Sequence, residues 1–178
     1  MNAVEAMMAA PPFQALIDEH RRSVLAFLRS LVGPADADDC LQETFLAALR
    51  AYPPRETSNL RGWIFKIAHN KALDHHRART RAPHPVGDGG QLDGAAAAAA
   101  PAWLGGRSGG TGGREGAIWS AVADLPEGQR AAVLLRFAVD LRYREIGAAL
   151  DISEEAARRR VSDALQALRS RIATGKES

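Results

Sequence analysis

The chain has 178 residues, 46% of them hydrophobic, and carries 23 Lys and Arg against 21 Asp and Glu for a formal charge of +2. That size suits one or two small domains, and the single cysteine, Cys40, excludes an intramolecular disulfide framework and a Cys-cluster zinc site. Met1 to Pro12 lacks a basic stretch followed by an apolar one, and nowhere is there a run of roughly 18 apolar residues, so the expectation is a cytoplasmic protein without membrane insertion.

In chain order, the first domain is expected over 12–81, as three helices. Phe13, Leu16, Ile17, Val24, Phe27, Leu28, Leu31 and Val32 recur at helical spacing until Gly33-Pro34. Cys40, Leu41, Phe45, Leu46 and Leu49 repeat the pattern until Pro53-Pro54. Ser58 or Asn59 can cap the third helix, whose predicted buried stripe is Leu60, Trp63, Ile64, Ile67 and Ala68. Phe65, His69, Ala72 and His76 form a separate row. On this reading Trp63 belongs to the core and Phe65 is the exposed aromatic. Charge is local: Ser58 to Arg81 holds six Lys or Arg and three His, opposed only by Asp74. His69, His75, His76 and Asp74 suggest a metal, but no His pair stands at i, i+4 and no cysteine joins them, so no metal site is expected.

Residues 82–116 hold 11 of the 16 glycines and the Ala95 to Ala100 run, a composition that cannot bury a core. This is read as a flexible linker with a span of roughly 30 Å. The second domain, 117–173, has a helix from about Ala117 to Asp124 and another through Ala131, Val133, Leu134 and Phe137. A helix pair follows, Leu141 to Leu150 and a long helix from Glu154, joined by Asp151-Ile152-Ser153 with Ser153 as N-cap. In the last helix Ala157, Val161, Ala164, Leu165, Leu168 and Ile172 make the buried stripe, which turns Glu155, Arg159, Ser162, Asp163 and Gln166 outward. No segment has strand periodicity. The fold class is therefore all-α: two small helical domains joined by a flexible linker.

Ala37-Asp38-Asp39-Cys40-Leu41-Gln42-Glu43-Thr44-Phe45-Leu46, then Trp63 to Asn70, Asp74 and Arg77, resemble region 2 of a bacterial extracytoplasmic-function (ECF) sigma factor, group 4 of the sigma-70 family. Leu125-Pro126, Arg130, Val133 to Arg136, Leu141, Tyr143 to Ile146 and Leu150 to Ser153 are similar to region 4 of the same family. The matches run in family order and cover nearly everything but the linker and the termini.

The resemblance implies an alternative sigma factor, a binding protein and not an enzyme, with no catalytic residue and no cofactor. It binds core RNA polymerase, directs it to promoter DNA and helps melt it. The acidic opening of the second helix implies Asp38, Asp39, Gln42 and Glu43 as polymerase-binding residues. The acids also suit the positive end of a helix, whereas the Gln42 amide gains little there and points to a partner. Arg61, Lys66, Asn70, Lys71 and Arg77 are the implied minus-10 contacts, cations for phosphates and an amide for a base edge, with the loop Pro54 to Asn59 helping to hold a flipped base. Ser153, Arg158, Arg159, Arg160 and Ser162 are the implied minus-35 contacts. An anti-sigma factor is the further partner that the family suggests.

The chain departs from the family where Glu155-Ala156 and Asp163-Ala164 stand in place of Gly-Thr and Arg-Ala. Two acids there repel phosphates unless Asp163 accepts from a cytosine amino group or pairs with Arg159. The rival readings are a helix-turn-helix regulator that does not bind polymerase, a degenerate sigma-like interaction protein, and a metal-dependent hydrolase built on Asp74-His75-His76.

Overall fold

The computed structural model describes residues 11–54, 59–81 and 114–174, with side chains placed for 11–54, 59–79 and 118–171. Among them seven helices form: α1 (Phe13–Val32), α2 (Ala37–Arg50), α3 (Leu60–Arg81), α4 (Arg114–Ala123), α5 (Glu127–Phe137), α6 (Tyr143–Leu150) and α7 (Glu154–Thr174). The linker expected over 82–116 lies almost wholly outside the described residues, as does the Ser58 alternative for the third cap.

The helix ends follow local chemistry. α1 starts after Pro12 and stops at Gly33, whose φ of +88° a side chain would resist. α2 begins with Asp38 and Asp39 in its first turn, at the positive end of the helix dipole. α3 is capped by Asn59, whose Oδ1 accepts from the Gly62 amide at 2.9 Å. A Cβ on Gly62 would stand 2.9 Å from the Asn59 Nδ2, so the missing side chain is what lets the cap close. Ser153 caps α7 as the sequence predicts, its Oγ accepting from the Ala156 amide at 3.1 Å.

α1, α2 and α3 pack on one another around Val24, Phe27, Leu28, Cys40, Leu41, Ile64 and Phe65. α5, α6 and α7 do the same around Leu134, Leu135, Ile146, Val161 and Ala164, with α4 lying along α7. The two groups also touch: α3 packs on α6 and α1 on α5, so that one apolar cluster runs through both.

The packing corrects several sequence expectations. Phe65 is fully buried, edge-on to Phe27 with ring centroids 5.4 Å apart, and it is Trp63 that is half-exposed, 6.2 Å from the Tyr52 ring. The buried stripe of α3 is thus Ile64, Phe65, Ala68, His69 and Ala72, rotated from the predicted one because α3 is covered from two sides, by α1 and α2 and by α6. On α2 the stripe is Ala37, Cys40, Leu41, Thr44 and Ala48, which leaves Leu46 (52% exposed) and Leu49 (54%) outside. Phe137 ends α5 with 60% exposure. Along α7, Ala157, Val161, Ala164 and Leu168 are buried as predicted, and Ile172 has no described side chain.

The sharp turn between α6 and α7 depends on two backbone features. Asp151 is left-handed at φ 56°, and the Ile152 amide returns to the Gly147 carbonyl at 2.9 Å. A Cβ on Gly147 would lie 2.8 Å from the Ile152 carbonyl oxygen, so this position in the chain must be glycine for the turn to close.

Candidate functional site

On α2 the outer face carries Asp39, Gln42, Glu43, Leu46 and Leu49 in steps of three and four residues, all exposed. Asp38 lies beside this row and pairs with Arg29 of α1 at 3.7 Å. Beneath it Cys40 is buried, and burial together with the carboxylates of Glu43, Asp36 and Asp39 pushes its thiol up to about 11, so it is neither a nucleophile nor a ready ligand. Thr44 satisfies its buried hydroxyl by donating to the Cys40 carbonyl at 2.6 Å. A small-residue underside and a mixed acid, amide and leucine outer face are what a protein-docking helix needs. Sequence reasoning found the polar half of that row and put the two leucines in the core, although their spacing from Asp39 already placed them on its side.

The α3 candidates split in two. Lys66, Asn70 and Arg77 are exposed, with Arg77 near Asp74 at 3.6 Å. Lys71 is half-buried and reaches Glu43 at 3.4 Å, so a residue expected at DNA and one expected at polymerase neutralise each other. Arg61 turns towards the second group and donates from Nη1 to the Val139 carbonyl at 3.1 Å. His69 is only 6% exposed, its Nδ1 has no hydrogen-bond partner, and burial, with the Arg160 charge adding to it, pushes its imidazole down to about 4. His20 of α1 is buried and shifted down as well, chiefly by burial. The histidines that suggested a metal are therefore dispersed: His69 is inside, and His75 faces Asp36 at 3.7 Å, where Arg79 also binds at 2.8 Å. Among the described residues no three His, Cys, Asp or Glu side chains group as metal ligands.

On α7, Arg158, Arg159, Ser162, Asp163 and Gln166 are exposed along the outward face. Arg158 is bound by Glu154 at 3.0 Å and lies 5.2 Å from the centroid of the Tyr143 ring, with Arg136 at 5.5 Å from the same ring. Among the described residues the Arg159–Asp163 pair does not form within 4 Å. Arg160 is half-buried and covers Gly128, where a Cβ would meet its Nη1 at 3.1 Å, so it faces inward and not along the outward row. The Ser153 hydroxyl oxygen is engaged in its cap. Tyr143 and Glu145 entered the sequence analysis only as part of the region 4 likeness, and Gly147 not at all; none was given a structural role there. Glu145 caps α6, its Oε2 accepting from the Arg142 amide at 2.7 Å, a spacing visible in the sequence as Arg142-Tyr143-Arg144-Glu145.

Comparison with known proteins agrees with this layout. The family model of Sigma-70 region 2 matches residues 16–82 and that of Sigma-70, region 4 matches 115–168, together more than half of the chain. An ECF RNA polymerase sigma factor SigE of Mycolicibacterium smegmatis is 29% identical over 168 residues, 93% of this chain and 63% of that protein. SigG of Mycobacterium tuberculosis, also an ECF RNA polymerase sigma factor, is 39% identical over 79 residues, 43% of this chain and 21% of the relative. The chain thus spans less than two thirds of the length of these curated relatives. Among solved structures, the sigma factor RpoE in complex with the anti-sigma factor NepR from Bartonella quintana superposes with a TM-score of 0.66 at 23% identity, over 90% of this chain and 96% of that one. CnrH in complex with the cytosolic domain of CnrY gives 0.61 at 24%, over 94% and 92%.

Two helical groups with region 2 and region 4 in family order define a sigma factor of the sigma-70 class. The chain belongs to that family. No helix among the described residues is long and apolar enough to cross a membrane.

Proposed function

We propose that this chain is an alternative sigma factor that binds core RNA polymerase through the outer face of α2, engages the minus-10 element through α3 and reads the minus-35 element through α7. The observation that carries the reading is the row Asp39, Gln42, Glu43, Leu46 and Leu49. Two leucines left in water beside acids and an amide have no folding purpose, since the core of α2 is complete without them, and such a strip is the mixed apolar and polar chemistry of a protein interface. Lys66, Asn70 and Arg77 supply cations and an amide on α3, and Arg158 and Arg159 supply forked donors on the helix that follows the turn. An anti-sigma factor is the natural regulator, because relatives of this fold are found with one.

The test is co-elution of the chain with sigma-free core RNA polymerase on size exclusion, followed by displacement with another sigma factor. Co-elution that displaces supports the reading. A folded chain that stays in its own peak overturns it and leaves a DNA-binding regulator or a sigma-like interaction protein, the second being the reading that Glu155 and Asp163 on the outward face of α7 would favour.

A further inference from the structure

The outer face of α2 changes character along its length. Its first half carries Asp39, Gln42 and Glu43, and its second half carries Leu46, Leu49 and Arg50, again in steps of one, three and four residues and all exposed. Leu46 and Leu49 are 52% and 54% exposed, although the buried stripe of the helix is complete on the other side. The first half is partly neutralised from within the fold, Glu43 by Lys71 at 3.4 Å and Asp38 beside the row by Arg29 at 3.7 Å. Among the described residues no carboxylate pairs with Arg50. The open half of α2 is thus apolar with one unpaired cation.

That half ends where residues 1–10 join the fold. The Tyr52 hydroxyl, three positions beyond Leu49, donates to the Pro11 carbonyl, and the Tyr52 ring packs edge-on against Phe13 of α1 with centroids 5.2 Å apart. Pro11 is therefore fixed beside the end of α2. The way back from Tyr52 to Leu46 is roughly 9 Å at about 1.5 Å per residue. Ten residues reach about 33 Å extended and about 15 Å as a helix, so either form covers it.

Residues 1–10 lie outside the described residues, and their chemistry fits the open half. Val4, Met7 and Met8 stand at i, i+3 and i+4, and Glu5 is the one charged side chain among them. At about 100° per residue Glu5 falls to the side of that apolar face, and Asn2 and Ala6 fall opposite it. Unbranched methionine side chains adapt to an uneven pair of leucines, and a carboxylate suits the unpaired Arg50 better than the acids of the first half.

We propose that in the free chain residues 1–10 dock on the second half of the α2 outer face, Val4, Met7 and Met8 over Leu46 and Leu49 with Glu5 towards Arg50, and so compete with core polymerase for the two leucines. The competition rests on the sigma reading; the docking does not. A short tether supplies an effective concentration of about millimolar, at which a weak apolar contact is enough. Apparent affinity falls with the open fraction, so cover for about 70–90% of the time weakens polymerase binding about 3- to 10-fold.

The test uses the full chain with methyl-labelled Val, Leu and Met. Nuclear Overhauser contacts are expected from the methyl groups of Val4, Met7 and Met8 to those of Leu46 and Leu49, unchanged on dilution and absent between differently labelled copies in a mixed sample. Met7→Gln with Met8→Gln should remove the Val4 contacts too, shift the Leu46 and Leu49 methyl resonances, leave the melting temperature unchanged and tighten binding to sigma-free core polymerase about 3- to 10-fold. Ala6→Gln, on the opposite side of the segment, should leave the contacts in place.

An unsubstituted chain without these contacts overturns the proposal, as do contacts that form only between copies, equal loss in Ala6→Gln, or unchanged polymerase affinity in a double variant that has lost them. If the contacts behave as stated but the chain never binds core polymerase, substituted or not, the sigma reading fails and the docking stands.

Discussion

The guanidinium of Arg158 is held on two sides, by Glu154 at 3.0 Å and by the face of Tyr143 with 5.2 Å to the ring centroid. Arg158 leads the outward face of α7 and Tyr143 opens α6, so the ring fixes the direction in which α7 presents its first arginine. A cation–π contact at an exposed site is worth about 0.5–1 kcal/mol. Tyr143→Ala should therefore weaken binding of a mapped upstream promoter duplex about 2- to 5-fold, and Tyr143→Phe should keep it, as read by anisotropy titration. Equal losses in both variants would show that the phenol oxygen, not the ring face, is what matters.

Asp39 and Gln42 lie on the open row of α2, and Lys66 and Asn70 on the open face of α3. Replacing the first pair with alanine should cut affinity for core polymerase by about 10-fold or more with melting unchanged, because exposed substitutions cost the fold within about 0.5 kcal/mol. Replacing the second pair should spare polymerase binding and reduce open-complex yield. Leu46→Gln with Leu49→Gln should behave like the first pair. Retained polymerase affinity in that leucine variant would remove the apolar half of the docking row.

Gly147 faces the turn at a distance where no side chain fits, 2.8 Å from its would-be Cβ to the Ile152 carbonyl oxygen. Gly147→Ala should destabilise the second helical group by about 1–3 kcal/mol, the usual range for forcing an added carbon into a filled space. Urea unfolding compared with Gly128→Ala is the check, since the Cβ at Gly128 meets the flexible end of Arg160 and should cost less.

His69 sets an acid limit. Burial lowers its imidazole from an ordinary value near 6.5 to about 4, so the unfolded chain takes up the proton first and the folded chain resists it. The stability tied to the neutral ring is complete above pH 6.5 and is lost as pH falls towards 4, at most about 3 kcal/mol. His69→Phe should flatten that part of the stability curve relative to the unsubstituted chain. His20, shifted in the same direction by burial, should leave a smaller acid dependence behind. An unchanged acid limb in His69→Phe would place the effect elsewhere.

The helices, their order and most of their ends were legible in the residues. Gly33, the acids at the start of α2, Asn59 and Ser153 act on backbone groups within a few residues, and a 3.6-residue period needs no knowledge of the partner surface. The same holds for the likeness to the two sigma regions, which depends on short motifs in a fixed order. It also holds for the outward face of α7, because that helix has one broad apolar stripe and a clear opposite side.

What periodicity cannot supply is which of two adjacent rows on a helix meets another helix, and how many neighbours that helix has. α3 is enclosed on two sides, so Phe65 and His69 go inward and Trp63 stays at the edge, whereas a helical wheel assumes one buried face. Leu46 and Leu49 go outward because small residues, Ala37, Cys40 and Ala48, let α2 approach its neighbours closely on the other side. Asn59 and Glu145 stand 86 positions apart in the chain and meet only when α3 and α6 come together, so nothing local foretells the bond. Local hydrogen bonding and apolar spacing determine the elements from the sequence alone. The contacts between elements, which decide whether an arginine faces DNA or a carbonyl of its own chain, come from the packing of surfaces distant in sequence.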